Sequence, residues 1–69
     1  MYADYKHFRL FASKVPEGWQ AAIYDRSTEK YSDVVGGWIF SSLEEAQNTA
    51  AFRLAAFLGE KIHPPLEWK

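Results

Sequence analysis

The first half of the chain alternates apolar and polar positions, which predicts antiparallel strands. Residues 5–13 alternate with the period of two expected of a half-buried strand. The face predicted to be buried holds Phe8, Leu10 and Ala12. Residues 15–18 contain a proline and a glycine at positions that favour a turn, and residues 19–25 alternate again. The short connection predicts that these two strands form an antiparallel hairpin.

A third strand is predicted after a polar loop at residues 25–30. It covers residues 31–40 and is interrupted by Gly36-Gly37. We expect this pair to form a bulge within one long strand, because residues 38–40 alone make a poor strand. The alternative is a tight turn between two short strands.

The second half of the chain carries the signals of one amphipathic helix. Ser42 and Glu45 form a capping box, in which the serine side chain accepts a hydrogen bond from the glutamate amide. Gly59 is placed to adopt the left-handed conformation just after the last turn. The apolar stripe between these ends consists of Leu43, Ala46, Ala50, Leu54, Phe57 and Leu58. We therefore expect about sixteen helical residues that cover one face of the sheet.

These elements predict an α+β fold in the order β-β-β-α, with a three-stranded antiparallel sheet and one helix packed on one of its faces. Residues 1–59 are predicted to form a single domain. Residues 60–69 form a tail in which Pro64-Pro65 prevents the helix from continuing. Ile62, Leu66 and Trp68 are too apolar for a tail that is fully exposed to solvent, so packing of the tail back on the helix is one of the arrangements left open.

Composition narrows the class of protein. The 69 residues include 8 Lys or Arg against 9 Asp or Glu, and no cysteine. Without cysteine there is no disulfide scaffold, thiolate metal site or cysteine nucleophile. A net charge of -1 lacks the basic footprint of a duplex-DNA binder. No apolar run reaches the roughly 18 residues of a membrane span, and no leader pattern opens the chain, so we expect a cytoplasmic protein without membrane contact.

Catalytic chemistry finds little support in the sequence. The two histidines, His7 and His63, lie far apart in the chain, and no nucleophile elbow surrounds any serine. Two histidines with scattered carboxylates do not make a zinc site. The adjacent Glu44 and Glu45 are explained by helix capping and the helix dipole. We therefore predict a protein that is not an enzyme and has neither a cofactor nor a metal.

One candidate interaction surface is the back of the predicted helix. Phe52 lies about 180° from Leu43 around the helix axis. Ala55 and Ala56 flank it, and small neighbours allow another helix or surface to approach closely. Phe52 is therefore predicted to contact a protein partner or a second copy of the chain. The alternative is that the tail of residues 60–69 covers it.

The other candidate surface is the outer face of the predicted sheet. Aromatic and basic side chains are expected to share this face: Tyr5, His7, Arg9, Phe11, Tyr24 and Arg26. Packing against a protein would use Tyr5, Phe11 and Tyr24. Stacking of single-stranded nucleic acid would use the same rings with Arg9, Arg26 and His7. The net charge of -1 favours the protein partner.

Three segments together resemble a known family. They are residues 18–24, Gly36-Gly37 and the helix entry Ser42-Leu43-Glu44-Glu45-Ala46. Over about residues 5–58 the chain is similar to the N-terminal domain of HicB-type antitoxins, and to short bacterial proteins with the same layout of three strands and one helix. The resemblance implies masking of a partner protein, a homo-oligomeric state and no catalysis. We therefore predict a small non-catalytic interaction domain, with nucleic-acid binding as the alternative.

Overall fold

One antiparallel sheet of five strands and one α-helix make up the fold, seen in a computed structural model that describes residues 1–32, 38–62 and 65–69. The elements are β1 (Tyr2–Tyr5), β2 (Phe8–Val15), β3 (Gly18–Asp25), β4 (Lys30–Ser32), β5 (Ile39–Phe40) and α1 (Leu43–Leu58). The α+β class, the antiparallel sheet and the single helix after it are confirmed.

The number of strands was predicted wrongly. Strands β1, β2, β3 and β4 lie side by side in that order, and β5 pairs with β3 as well. Ser32 of β4 lies opposite Ile23, and Ile39 of β5 lies opposite Gln20. The described residues on either side of 33–37 therefore contribute two short strands at the same edge of β3. The predicted bulge or turn at Gly36-Gly37 lies outside the described residues.

The sequence prediction also missed β1. Tyr5 pairs with Phe8 across a two-residue turn formed by Lys6 and His7, and Lys6 has a φ of 55°. Such a turn usually carries Gly, Asn or Asp, so a lysine gave no turn signal. The strand predicted over residues 5–13 therefore wrongly includes this turn. Tyr5 therefore lies on the helix side of the sheet and His7 in the turn, which corrects their predicted place on the outer face.

The predicted hairpin of β2 and β3 is confirmed over eight residue pairs. Gly18 opens β3 with a φ of 148°, and a Cβ at this position would lie 2.4 Å from the Phe40 carbonyl oxygen. The chain therefore needs a glycine here for two reasons, its positive φ and the close approach of the β5 backbone.

The core lies between the sheet and α1. Its largest fully buried side chains are Leu10, Ile23 and Leu54, and the helix presents Ala46 and Ala50 beside them. The helix ends are those predicted: Ser42 caps the first turn, and Gly59 follows the last with a φ of 70°. Of the predicted stripe, Phe57 is an exception, because its side chain is 61% exposed.

The tail runs along β1. The Tyr2 amide donates to the Lys69 carbonyl at 2.9 Å, and the Lys69 amide donates to the Tyr2 carbonyl at 2.8 Å. Ile62, Leu66 and Trp68 are half-buried against the core. The tail does not cover Phe52, which answers the alternative raised for that residue. Within the described ranges, no helix has the length and apolarity to cross a membrane.

Candidate interaction surfaces

Phe52, Ala55 and Ala56 form one surface, which we call the helix patch. The Phe52 side chain is 70% exposed, because it points directly away from the buried Ala50 and Leu54 side of the helix. With Gly59, Glu60 and Lys61, the helix patch lines a shallow groove of about 430 Å³. The structure therefore brings together the three helix residues selected from the sequence.

The N-terminal half of the same helix carries a second depression. This groove of about 290 Å³ is lined by Ser42, Glu44, Glu45, Asn48 and Thr49. Glu45 accepts a hydrogen bond from the Ser41 hydroxyl at 2.8 Å. Among the described residues, neither Glu44 nor Lys61 has a hydrogen bond or an ion pair. The groove with Glu44 and Glu45 therefore lies on the N-terminal side of Phe52, and Lys61 lies on its C-terminal side.

The outer face of the sheet carries a cluster of aromatic rings. The strand registers place Tyr2, Arg9, Phe11, Tyr24 and Tyr31 on this side, and we call the five residues the sheet face. The Tyr24 and Tyr31 rings meet at a centroid distance of 5.1 Å, and the Phe11 and Tyr31 rings at 6.4 Å. Tyr31 is 66% exposed.

Two residues of the sheet face were missed from the sequence. Tyr31 belonged to the predicted third strand, but its face depends on the pairing of β4 with β3, which alternation does not reveal. Tyr2 belongs to β1, the strand that was not predicted. The alternation of Tyr2 with the apolar Ala3, which is buried, was the sequence signal that could have indicated this strand.

The positive charge of the sheet face is largely neutralised by Asp4. The Arg9 guanidinium binds the Asp4 carboxylate through two hydrogen bonds of 2.7 and 3.1 Å, and it stacks on the Tyr2 ring with 4.3 Å to its centroid. The Arg9 hydrogen bond lowers the pKa of Asp4 below its ordinary value. Arg26 lies 4.0 Å from the same carboxylate and donates to the Lys6 carbonyl. Both predicted nucleic-acid-binding arginines are thus engaged within the chain.

Tyr5 and His7 serve other contacts than those predicted. The Tyr5 hydroxyl and the Lys6 ammonium both donate to the Glu60 carboxylate, just after the helix. These hydrogen bonds lower the pKa of Glu60 and raise that of Tyr5. His7 lies 3.7 Å from the Asp25 carboxylate, at the end of the sheet. Neither residue takes part in the sheet face.

A third pocket lies between β1 and the tail. It has a volume of about 300 Å³, and its lining residues are Tyr2, Asp4, Tyr5, Pro65, Leu66, Glu67 and Lys69. Of the residues that the structure describes, no histidine or serine lines it, and Asp4 is already bound by Arg9. In the part of the chain that the structure describes, no three His, Asp or Glu side chains gather as metal ligands. His63 lies outside that part.

No protein-family model, curated protein or solved structure matches the chain. The resemblance to HicB-type antitoxins therefore stays a prediction that rests on the sequence segments named above. The two surfaces have to be interpreted from their own chemistry.

Proposed function

We propose that the chain is a non-catalytic protein-interaction domain that self-associates through the helix patch. The observation that carries the proposal is the exposure of Phe52 beside small residues. Full burial of a phenylalanine side chain contributes about 1.5–3 kcal/mol, and most of that is not gained in the isolated chain, where Phe52 is 70% exposed. An antitoxin-like masking of another protein would use the same surface but is not required.

The surroundings of Phe52 favour a protein partner. Ala55, Ala56 and Gly59 leave room beside the ring, so a second helix can come close without a clash. Glu45, Asn48 and Lys61 surround this apolar centre with polar groups. An apolar centre with a polar rim is the usual composition of a protein–protein contact.

The sheet face supports a second candidate function, which is binding of single-stranded nucleic acid. The clustered rings of Phe11, Tyr24 and Tyr31 offer a surface on which bases stack. However, Asp4 binds Arg9 directly and lies 4.0 Å from Arg26, which reduces the positive charge available for phosphates. We therefore rank nucleic-acid binding below self-association.

Phe52→Asp tests the proposed function. A buried aspartate at the centre of the contact is expected to raise the dissociation constant of self-association at least about tenfold. Because Phe52 is 70% exposed, the free energy of unfolding of the monomer should change by no more than about 0.5 kcal/mol. Sedimentation equilibrium measures the first quantity and urea denaturation the second.

Two matched variants serve as controls. Phe57→Asp makes the same change at a similarly exposed phenylalanine of the same helix, and Tyr31→Asp makes a comparable change on the sheet face. Both should leave self-association unchanged. The proposal is wrong if Phe52→Asp leaves the dissociation constant unchanged, or if Tyr31→Asp abolishes association in its place.

A further inference from the structure

We infer that the helix patch binds the same surface of a second copy, with the two α1 helices antiparallel and Phe52 at the two-fold axis. The inference rests on the proposed function and adds the identity and orientation of the partner. Most soluble homo-oligomers use such two-fold contacts, in which one surface is complementary to itself. Two features of α1 give it that complementarity, and the first is its shape.

Small side chains face one another in the antiparallel pair. With the axis at Phe52, Asn48 of one copy lies opposite Ala56 of the other, and Thr49 lies opposite Ala55. These are the residues that line the two grooves on either side of Phe52. Small residues at the crossing allow the helix axes to come within about 8–10 Å, where each Phe52 ring packs beside the other.

Charges are arranged with the same symmetry. Glu44 and Glu45 lie about 11 Å along the helix from Phe52 in the N-terminal direction, and Lys61 lies beyond the C-terminal end of the helix, in the groove that begins at Phe52. Glu60 lines that groove too, but its carboxylate is already bound by Lys6 and Tyr5. Antiparallel pairing brings each Lys61 to the acidic groove of its partner, twice per dimer. Parallel pairing would place like charges together, and it would also align the two helix dipoles unfavourably.

The contact is small, so the dimer is expected to be weak. A single helical face buries on the order of 300 Å² per copy, well below the roughly 800 Å² per partner of a standard stable interface. We therefore expect a dissociation constant in the micromolar range or above, as for other transient contacts.

Disulfide cross-linking tests the orientation directly. The natural chain has no cysteine, so introduced thiols are unique. Copies carrying Asn48→Cys are mixed with tagged copies carrying Ala56→Cys under oxidising conditions. The antiparallel pair predicts that the mixed disulfide forms at least about tenfold faster than either same-residue disulfide, because only 48 and 56 approach within bonding range. A mixture of Lys30→Cys with Ala56→Cys supplies the background rate.

A charge exchange gives a second, independent test. Lys61→Glu and Glu44→Lys are each expected to weaken dimerisation about fivefold, because each replaces two attractions by two repulsions. The double variant should recover most of the wild-type affinity. Lys30→Glu makes the same change in net charge as Lys61→Glu but away from the helix, and we expect no effect.

The outcomes separate this inference from the proposed function. Faster same-residue disulfides, or no recovery in the double variant, would overturn the antiparallel arrangement while sensitivity to Phe52→Asp still supported the helix patch. If the cysteine variants do not cross-link above background and the mass of the wild-type chain does not increase with concentration, both the inference and the proposed function are overturned.

Discussion

At the scale of single residues, the backbone geometry at two glycines determines whether a side chain can be accommodated there. Gly18 has a φ of 148°, and a Cβ added at this position would lie 2.4 Å from the carbonyl oxygen of Phe40. Gly59 has a φ of 70°, and a Cβ there would meet no atom within 4 Å. A side chain at position 18 is therefore opposed by both the backbone conformation and the lack of space. A side chain at position 59 is opposed by the backbone conformation alone.

Gly18→Ala is therefore expected to cost at least about 2 kcal/mol of folding free energy, since the β5 backbone has to move. Gly59→Ala should cost only about 1 kcal/mol, the usual penalty of a side chain in the left-handed region. Urea denaturation of the two variants measures the difference. Equal losses would show that the contact with Phe40 does not restrict position 18.

Phe52 and Tyr5 show what residue patterns reveal about the candidate sites. The helical period alone placed Phe52 opposite the core, and its exposure agrees. Alternation misplaced Tyr5, because a turn with Lys6 at a positive φ interrupts the strand without glycine. Phe57 has the angle of the buried stripe, but at the last turn of α1 its ring makes a T-shaped contact with Phe8 and stays 61% exposed. Periodicity gives the direction of a side chain and not the extent of the surface that lies opposite.

At the scale of elements, Glu60 links the end of α1 to the turn between β1 and β2. Its carboxylate accepts hydrogen bonds from the Lys6 ammonium and the Tyr5 hydroxyl. Both bonds favour the charged carboxylate and so lower the pKa of Glu60. The contact crosses more than fifty residues of sequence and joins the two ends of the chain.

The lowered pKa of Glu60 predicts a loss of stability in acid. Its stabilising effect is complete above its ordinary pKa of 4.5 and is lost as the pH falls through the lower folded value. The pKa of Asp4 is lowered in the same direction by Arg9. Glu60→Gln should therefore lower the melting temperature at neutral pH and flatten its decline below pH 4.5, as followed by circular dichroism.

The control for this variant is Glu67→Gln, which removes a carboxylate of the tail without an ion pair among the described residues. It should retain the acid-dependent decline of the wild-type protein. If Glu60→Gln and the wild-type protein lose melting temperature in parallel as the pH falls, the contact with Lys6 and Tyr5 contributes nothing to stability.

Elements with strong local signals were predictable, and those fixed by pairing were not. The ends of α1 follow from Ser42 and Gly59, each of which satisfies backbone groups at a helix end. The hairpin of β2 and β3 follows from its turn. In contrast, β4 and β5 are only three and two residues long and exist because β3 offers an edge to both. Such short strands have little local preference of their own.

At the scale of the whole molecule, the single chain is already compact. Its accessible surface of 4601 Å² is close to the roughly 4,450 Å² expected of a folded monomer of 8.0 kDa. The proposed self-association would therefore join copies that are already compact. The helix patch and the sheet face lie on opposite sides, because α1 covers the inner face of the sheet. A dimer formed through the helix patch would leave the sheet face of each copy accessible.

The central claim is tested most directly by the molar mass of the wild-type chain in solution. Sedimentation equilibrium measures this mass across a hundredfold concentration range. Self-association through the helix patch predicts a mass that rises from the 8.0 kDa of the monomer towards twice that value. A mass that stays at 8.0 kDa over the whole range would contradict it.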